Sequence, residues 1–123
     1  MHKYIFLLAA ITLLSCKKEA PKESLYPKVT QTPEQLGKEI FEGKGNCIAC
    51  HQPEQKIIGP GIKQIAEIYK DQNGSIVAFL KEESDPLVDP DQYSVMKANF
   101  ATTKSMSDAE LKALEAYIYS HLK

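Results

Sequence analysis

Cys47-Ile48-Ala49-Cys50-His51 is the stretch of this 123-residue chain on which its fold and chemistry depend. Two thiols separated by two residues, followed at once by an imidazole, are what covalent attachment of a c-type haem requires. Each cysteine sulfur can add to one vinyl group of the porphyrin, and His51 then meets the iron from one face as the proximal ligand. We therefore predict one covalent haem c, attached through Cys47 and Cys50 and ligated by His51.

The same residues are compatible with other kinds of site. A CxxC pair also occurs in zinc sites and in thiol–disulfide motifs. A zinc site built on Cys47, Cys50 and His51 needs a fourth ligand, and the neighbouring sequence offers no convincing one. The histidine directly after the pair, together with an export signal at the N-terminus, favours haem.

That export signal occupies residues 1–15. His2 and Lys3 precede an apolar run, Tyr4–Leu14, which is shorter than the ~20 residues needed to cross a bilayer. The next residues, Leu13-Leu14-Ser15-Cys16, resemble a bacterial lipobox, and signals of that type are cleaved before the cysteine, whose thiol is lipidated. We predict a lipoprotein signal peptide over residues 1–15 and lipid on Cys16. The alternative is an uncleaved anchor with a free, buried Cys16.

Lipidation accounts for the one cysteine of three that the haem motif leaves over. Acyl chains enter a membrane at ~0.8 kcal/mol per buried CH₂, so several chains hold a protein firmly. We expect a lipid-anchored protein of the bacterial cell envelope with its domain on the periplasmic, extracytoplasmic side, where c-type haem is attached. Residues 16–31 are predicted to be a flexible tether, because they are charged, contain proline and include few apolar side chains.

The composition argues against a nucleic-acid partner. The formal net charge is -1, and the sequence contains no arginine, the usual reader of phosphate and guanine. No acid–base or nucleophilic pair stands out, so we do not expect an enzyme. We expect a monomer.

Residues 32–123 are predicted to form one all-α domain of about four short helices wrapped round the haem. Thr32 caps a helix that begins at Pro33, with Gln35 closing a capping box. Shorter helices are expected from Ile62 to Tyr69 and after Ser75. The segment 92–100 shows no regular pattern and is predicted to be a loop.

The last helix has the clearest start signal. Ser107-Asp108-Ala109-Glu110 is a capping box, with Ser107 as the N-cap. An apolar stripe follows at helical spacing, and it consists of Leu111, Leu114, Tyr117, Ile118 and Leu122.

Three side chains outside the signal peptide can supply the second axial ligand, Met96, Met106 and His121. Met106 precedes the N-cap Ser107, where an apolar residue packs against the fourth helical residue as a hydrophobic staple. His121 lies at the end of the last helix, where a cation suits the helix dipole. We favour Met96 because a loop can present it to the iron. On the proximal side, the carbonyl of Pro60 is predicted to orient His51.

Taken together, residues Leu36–Leu122 resemble class I cytochromes c, which are small soluble electron carriers. Gly37 and Phe41 of the first helix and Tyr117 of the last match a glycine and two aromatic residues that interlock in that family. Gly59-Pro60 matches the Gly-Pro after the haem motif. The family's axial methionine precedes a Ser-Asp-x-Glu helix start, which again indicates Met96, although the usual proline after the methionine is replaced by Lys97.

The resemblance implies a one-electron carrier with a His51/Met96-ligated haem. Its redox partners would be an oxidase, a quinol-oxidising complex or another cytochrome, and its membrane contact would be the lipid on Cys16. The alternative is a haem enzyme or gas sensor with an open sixth iron position, such as a peroxidase-like protein. That alternative requires both methionines to be structural, and no arginine is present to assist such chemistry.

Overall fold

The computed structural model describes residues 30–123, and its first helix begins at a closed capping box. Helix α1 (Pro33–Glu42) has Thr32 as its N-cap. The Thr32 hydroxyl accepts a hydrogen bond from the Gln35 N–H at 3.2 Å, and the Gln35 side chain accepts one from the Thr32 N–H at 3.0 Å. Two backbone donors without partners inside the helix are thereby satisfied, as the sequence predicted.

The last helix, which we call α6 (Asp108–Ser120), starts in the same way. Glu110 accepts a hydrogen bond from the Ser107 N–H at 2.8 Å, and the Ser107 hydroxyl accepts one from the Glu110 N–H at 3.3 Å. The predicted capping box is therefore present. Lys44, just beyond the end of α1, forms an ion pair with Glu110 and ties the two helices together at this end.

Helices α1 and α6 pack closely because a glycine lies at their contact. A Cβ atom on Gly37 would overlap the backbone carbonyl of Ala113 on α6. One turn further along α1, the Phe41 ring lies 5.3 Å from the Tyr117 ring, measured between centroids. The expected pairing of the first and last helices is thus formed.

The first two of the helices between them are α2 (Ile62–Asp71) and α3 (Ile76–Leu80), and Ser75 caps α3 by accepting from the Ala78 N–H at 3.1 Å. Their buried faces join those of α1 and α6 in one core. Its largest fully buried side chains are Ile62, Leu111, Leu114 and Thr103.

The segment 92–100, predicted to be a loop, is helical. It consists of α4 (Tyr93–Met96), a 3₁₀ turn (Lys97–Asn99) and the start of α5 (Phe100–Thr103). Tyr93 and Phe100 are seven residues apart and therefore share a face, and both rings pack on Phe79 of α3, with centroid distances of 6.2 and 5.4 Å. This tertiary contact, which no local pattern encodes, stabilises the helical turns.

Residues 30–123 form no β-strand, and the all-α prediction is confirmed. Over the same residues, no helix has both the length and the apolar character needed to cross a bilayer. The predicted signal peptide, the lipidation site Cys16 and nearly all of the predicted tether lie outside the described residues.

Candidate functional site

The CxxCH motif forms a tight turn, and its three reactive side chains line one cavity. Cys47–Ala49 is one 3₁₀ turn, which follows Asn46 in the left-handed conformation with a φ of 49°. The N–H groups of Cys50 and His51 both donate to the Cys47 carbonyl, at 3.1 and 2.9 Å. Burial raises the pKa of the Cys47 thiol to about 11. The Cys47 sulfur is therefore largely shielded from water.

His51 is held in one orientation. Its Nδ1 donates to the Pro60 carbonyl, 2.8 Å away, so the imidazole has Nε2 free to bind a metal. Burial lowers the pKa of His51 more than this hydrogen bond raises it, and the ring is neutral at pH 7. The Pro60 carbonyl therefore accepts the hydrogen bond from His51 that the sequence predicted.

Gly59 leaves room for that ring. A Cβ atom at this position would lie 2.5 Å from Cε1 of His51 and 2.8 Å from Nδ1. Real Cβ contacts are never so short, so any larger residue at position 59 must displace the imidazole. The glycine and the proline of Gly59-Pro60 therefore act on the same ring, one by its small size and the other by its carbonyl.

His51 and both cysteines line a cavity of about 300 Å³. Most of its wall is apolar and comes from α1, α2, α3 and α6 and from the loop after α3, and it includes Phe41, Ile65, Tyr69, Phe79, Leu80, Leu87, Val88, Leu114 and Ile118. Met96, at the end of α4, lines the same cavity. Met96 is thus presented by a short helix and not by a loop.

The other two candidates for the second axial ligand lie elsewhere. Met106 is only 8% exposed and belongs to the hydrophobic core, and it is not among the residues that line the cavity. His121 is the C-cap of α6, where its ring stacks edge-on against Tyr117 at 5.0 Å, and it does not line the cavity either. The structure therefore brings Met96, and neither of the others, to the cavity that contains His51.

A family model for cytochrome c matches residues 34–121, from the first turn of α1 to the residue after α6. The chain belongs to the cytochrome c family. Its cofactor is accordingly a covalently bound haem c, and the family is one of haem-binding electron carriers. The chain also resembles cytochrome c-552 of Nitrosomonas europaea, with 57% identity over 30 residues. That alignment covers 24% of this chain and 29% of the relative, so less than a third of the relative's length is matched.

The residues at the cavity of this cytochrome fit such a haem. They provide two thiols on one turn, an imidazole with one nitrogen already hydrogen-bonded, a thioether sulfur and an apolar enclosure. The zinc alternative finds no such support in the described residues. Among residues 30–123, no three His, Cys, Asp or Glu side chains lie close enough together to hold a metal ion, and this includes Cys47, Cys50 and His51.

Two polar contacts of the cytochrome join the side of the cavity that carries the CxxCH turn to the side that carries Met96. The Asn99 amide donates to the Gly45 carbonyl, just before the turn, at 3.2 Å. Lys56, in the loop after His51, pairs with Asp89 at 2.6 Å. Sequence reasoning missed Asn99 and Asp89 because their partners are 54 and 33 residues away. No spacing rule connects residues so far apart.

Proposed function

We propose that this chain is a one-electron carrier whose haem iron is ligated by His51 and Met96. The observation that carries the proposal is that these two side chains line one cavity from separate segments of the chain, whereas Met106 and His121 do not line it. A thioether opposite an imidazole gives a higher reduction potential than two imidazoles. With both axial positions taken by protein side chains, no position is left for a substrate.

The haem supplies an iron that can gain or lose one electron, and the residues around it restrict what else can happen there. Pro60 holds the imidazole of His51 in one orientation, so little rearrangement accompanies a change of oxidation state. The apolar wall excludes water. Ile58 and Val95 line the cavity while remaining 52% and 50% exposed, and they offer an apolar rim against which a redox partner can dock.

The same proposal includes a membrane tether. Cys16 carries the lipid, residues 17–31 give the domain reach, and the domain faces the extracytoplasmic side of a bacterial envelope. What supports this part is the short apolar run followed by Leu13-Leu14-Ser15-Cys16. An oxidase, a quinol-oxidising complex or another cytochrome is then within reach as a partner.

Absorption spectra of the holoprotein from an export-competent host test the ligation. The oxidised wild type should show the weak red-edge band of methionine-ligated ferric haem, and Met96→Ala should abolish it. Met106→Ala should keep the band while losing about 2–5 kcal/mol of stability, because it empties a core position. A band lost only in Met106→Ala would overturn the assignment. High-spin bands that shift with carbon monoxide in the wild type would favour the enzyme or sensor with an open iron position.

Cell fractionation tests the tether separately. Cys16→Ala should move the protein from the membrane to the soluble fraction without altering its spectrum, since Cys16 takes no part in haem attachment. Cys47→Ala serves as the control, because it should impair haem attachment and leave the membrane location unchanged. A Cys16→Ala protein that stays with the membrane would contradict the lipid anchor.

A further inference from the structure

Glu82 has a backbone conformation that glutamate rarely adopts. It follows Lys81, the C-cap of α3, and its φ of 62° lies in the left-handed region where glycine is favoured. Its N–H donates to the Phe79 carbonyl at 2.9 Å, and the Glu83 N–H donates to the Ala78 carbonyl at 2.8 Å, so α3 ends in a Schellman motif. A strained residue kept where glycine fits better points to a role for its side chain.

The carboxylate of Glu82 binds two lysines of the segment that carries Met96. Oε1 lies 3.3 Å from Nζ of Lys97, and Oε2 lies 2.9 Å from Nζ of Lys104. Because the two lysines are seven residues apart on consecutive helical turns, they lie on one face and reach the same carboxylate. Each carboxylate oxygen therefore has its own partner, and the end of α3 is joined to the first residue of the 3₁₀ turn and to the residue that follows α5.

Lys97 connects this cluster to Met96, which it follows directly in the chain. The Lys97 N–H donates to the Tyr93 carbonyl and closes the helical turn that contains Met96. Its Nζ also lies 5.5 Å from the centre of the Tyr93 ring, and that ring packs against Phe100 at 5.8 Å. Lys97 is thus held at its backbone and at its charged end, and this restricts the peptide unit next to Met96.

We propose that Glu82 is a positioning residue for Met96: its carboxylate holds Lys97 and Lys104, and thereby keeps the segment 93–103 where Met96 faces the cavity. The inference rests on the proposed function, in which Met96 is the axial ligand. Glu82 is not among the residues that line the cavity with Met96, so the proposed action runs through the two lysines.

Binding of added imidazole to the ferric holoprotein tests this role. Imidazole can bind the iron only after Met96 has left it, so its apparent affinity reports the fraction of molecules with Met96 displaced. Glu82→Gln and Glu82→Gly each remove both ion pairs. We expect each to bind imidazole about fivefold more tightly than the wild type, at the ordinary strength of two partly exposed pairs. The red-edge band should disappear at correspondingly lower imidazole concentrations.

Two control variants distinguish the positioning of Met96 from the general effects of losing an ion pair or relieving a left-handed backbone. Asp108→Asn removes the 2.7 Å ion pair with Lys81, which joins the same end of α3 to α6 and not to the segment that carries Met96, and it should leave imidazole affinity unchanged. Asn73→Gly relieves a left-handed φ of 52° at the end of α2 and should also leave it unchanged. Glu82→Gly is the most informative variant, because it relieves the left-handed backbone while it removes the carboxylate. Wild-type imidazole affinity in both Glu82 variants would overturn the proposal.

The fate of Met96→Ala keeps the two proposals apart. If Met96→Ala retains the red-edge band, the axial assignment fails, and the role of Glu82 fails with it. If Met96→Ala loses the band but Glu82→Gln and Glu82→Gly bind imidazole like the wild type, only the positioning role of Glu82 is overturned. Haem content and thermal unfolding of each Glu82 variant confirm that the folded holoprotein is being compared.

Discussion

At the scale of single residues, the proximal side of the cavity is built from neighbours in sequence. His51 is supplied by the motif, its hydrogen-bond acceptor by Pro60, and the space for its ring by Gly59. The role of Pro60 was foreseeable because Pro60 lies only nine residues from His51, whereas the space that Gly59 leaves for the ring was not predicted. The sequence favours Met96 over Met106 through the staple position of Met106, the loop expected round Met96 and the family resemblance, and it is the fold that brings Met96 to the cavity.

Gly59→Ala should disturb the imidazole directly. The new Cβ would lie 2.8 Å from Nδ1 of His51, so the ring must move away from the Pro60 carbonyl. We expect a lower yield of covalent haem and a changed reduction potential in what is recovered. The control is Gly61→Ala, whose Cβ meets backbone atoms of Gln55 and Glu54 at 3.2 Å and no atom of His51. Equal yields and potentials in the two variants would contradict this account of Gly59.

At the scale of elements, both helix starts and the contact between the first and last helices were predictable, whereas the packing of α4 and α5 on α3 was not. The capping boxes at Thr32 and Ser107 are local, so three or four residues suffice to recognise them. The turns of α4 and α5 were missed because their stability comes from the packing of Tyr93 and Phe100 on Phe79. A short helix with little intrinsic propensity forms only when tertiary contacts stabilise it.

Gly37→Ala should lower the stability of the protein, although replacing glycine by alanine usually stabilises a helix. In an isolated helix, alanine is favoured over glycine by about 1 kcal/mol. Here the new Cβ would overlap the Ala113 carbonyl, and α1 and α6 must separate, so we expect a net loss of about 2 kcal/mol. Denaturant unfolding of the holoprotein measures it. Lys38→Ala, on the exposed side of α1, should change stability by less than about 0.5 kcal/mol. An unchanged or raised midpoint for Gly37→Ala would refute the close contact.

The start of α6 should make stability depend on acid pH. The Lys44 side chain, followed by the Ser107 N–H, lowers the pKa of Glu110 to about 2, below the value of about 4.3 for an unfolded chain. A lowered folded-state pKa stabilises the protein above the unfolded value, and that contribution disappears as the pH falls towards 2. Glu110→Gln keeps the capping box but not the ion pair.

Glu110→Gln should therefore be less stable than the wild type at pH 6, and the difference should shrink steadily as the pH falls to 2. Urea unfolding at several pH values gives the difference, and taking a difference cancels the other groups that titrate over this range. Lys44→Gln removes the same ion pair from its other end and should show the same convergence. A gap between wild type and Glu110→Gln that stays constant from pH 6 to pH 2 would show that the charge of Glu110 contributes nothing.

At the scale of the whole molecule, the haem is part of the core. A cavity of about 300 Å³ left empty would cost up to about 7 kcal/mol at 24 cal/mol per Å³, which matches the entire stability of many domains. The double variant Cys47→Ala/Cys50→Ala should therefore lose its fixed tertiary packing. Near-ultraviolet circular dichroism and the cooperativity of urea unfolding measure this loss. Cys16→Ala leaves both haem thioethers intact and should unfold like the wild type. If the double variant also unfolds like the wild type, the haem does not stabilise the fold.

The contact between α1 and α6 also has a consequence for the order of folding. The two helices lie at opposite ends of the described domain, and Gly37 has no surface to pack against until α6 has formed. We expect the Cys47–His51 turn to remain accessible for haem attachment until that contact closes. Docking of α6 on α1 then completes the fold round a cofactor already in place.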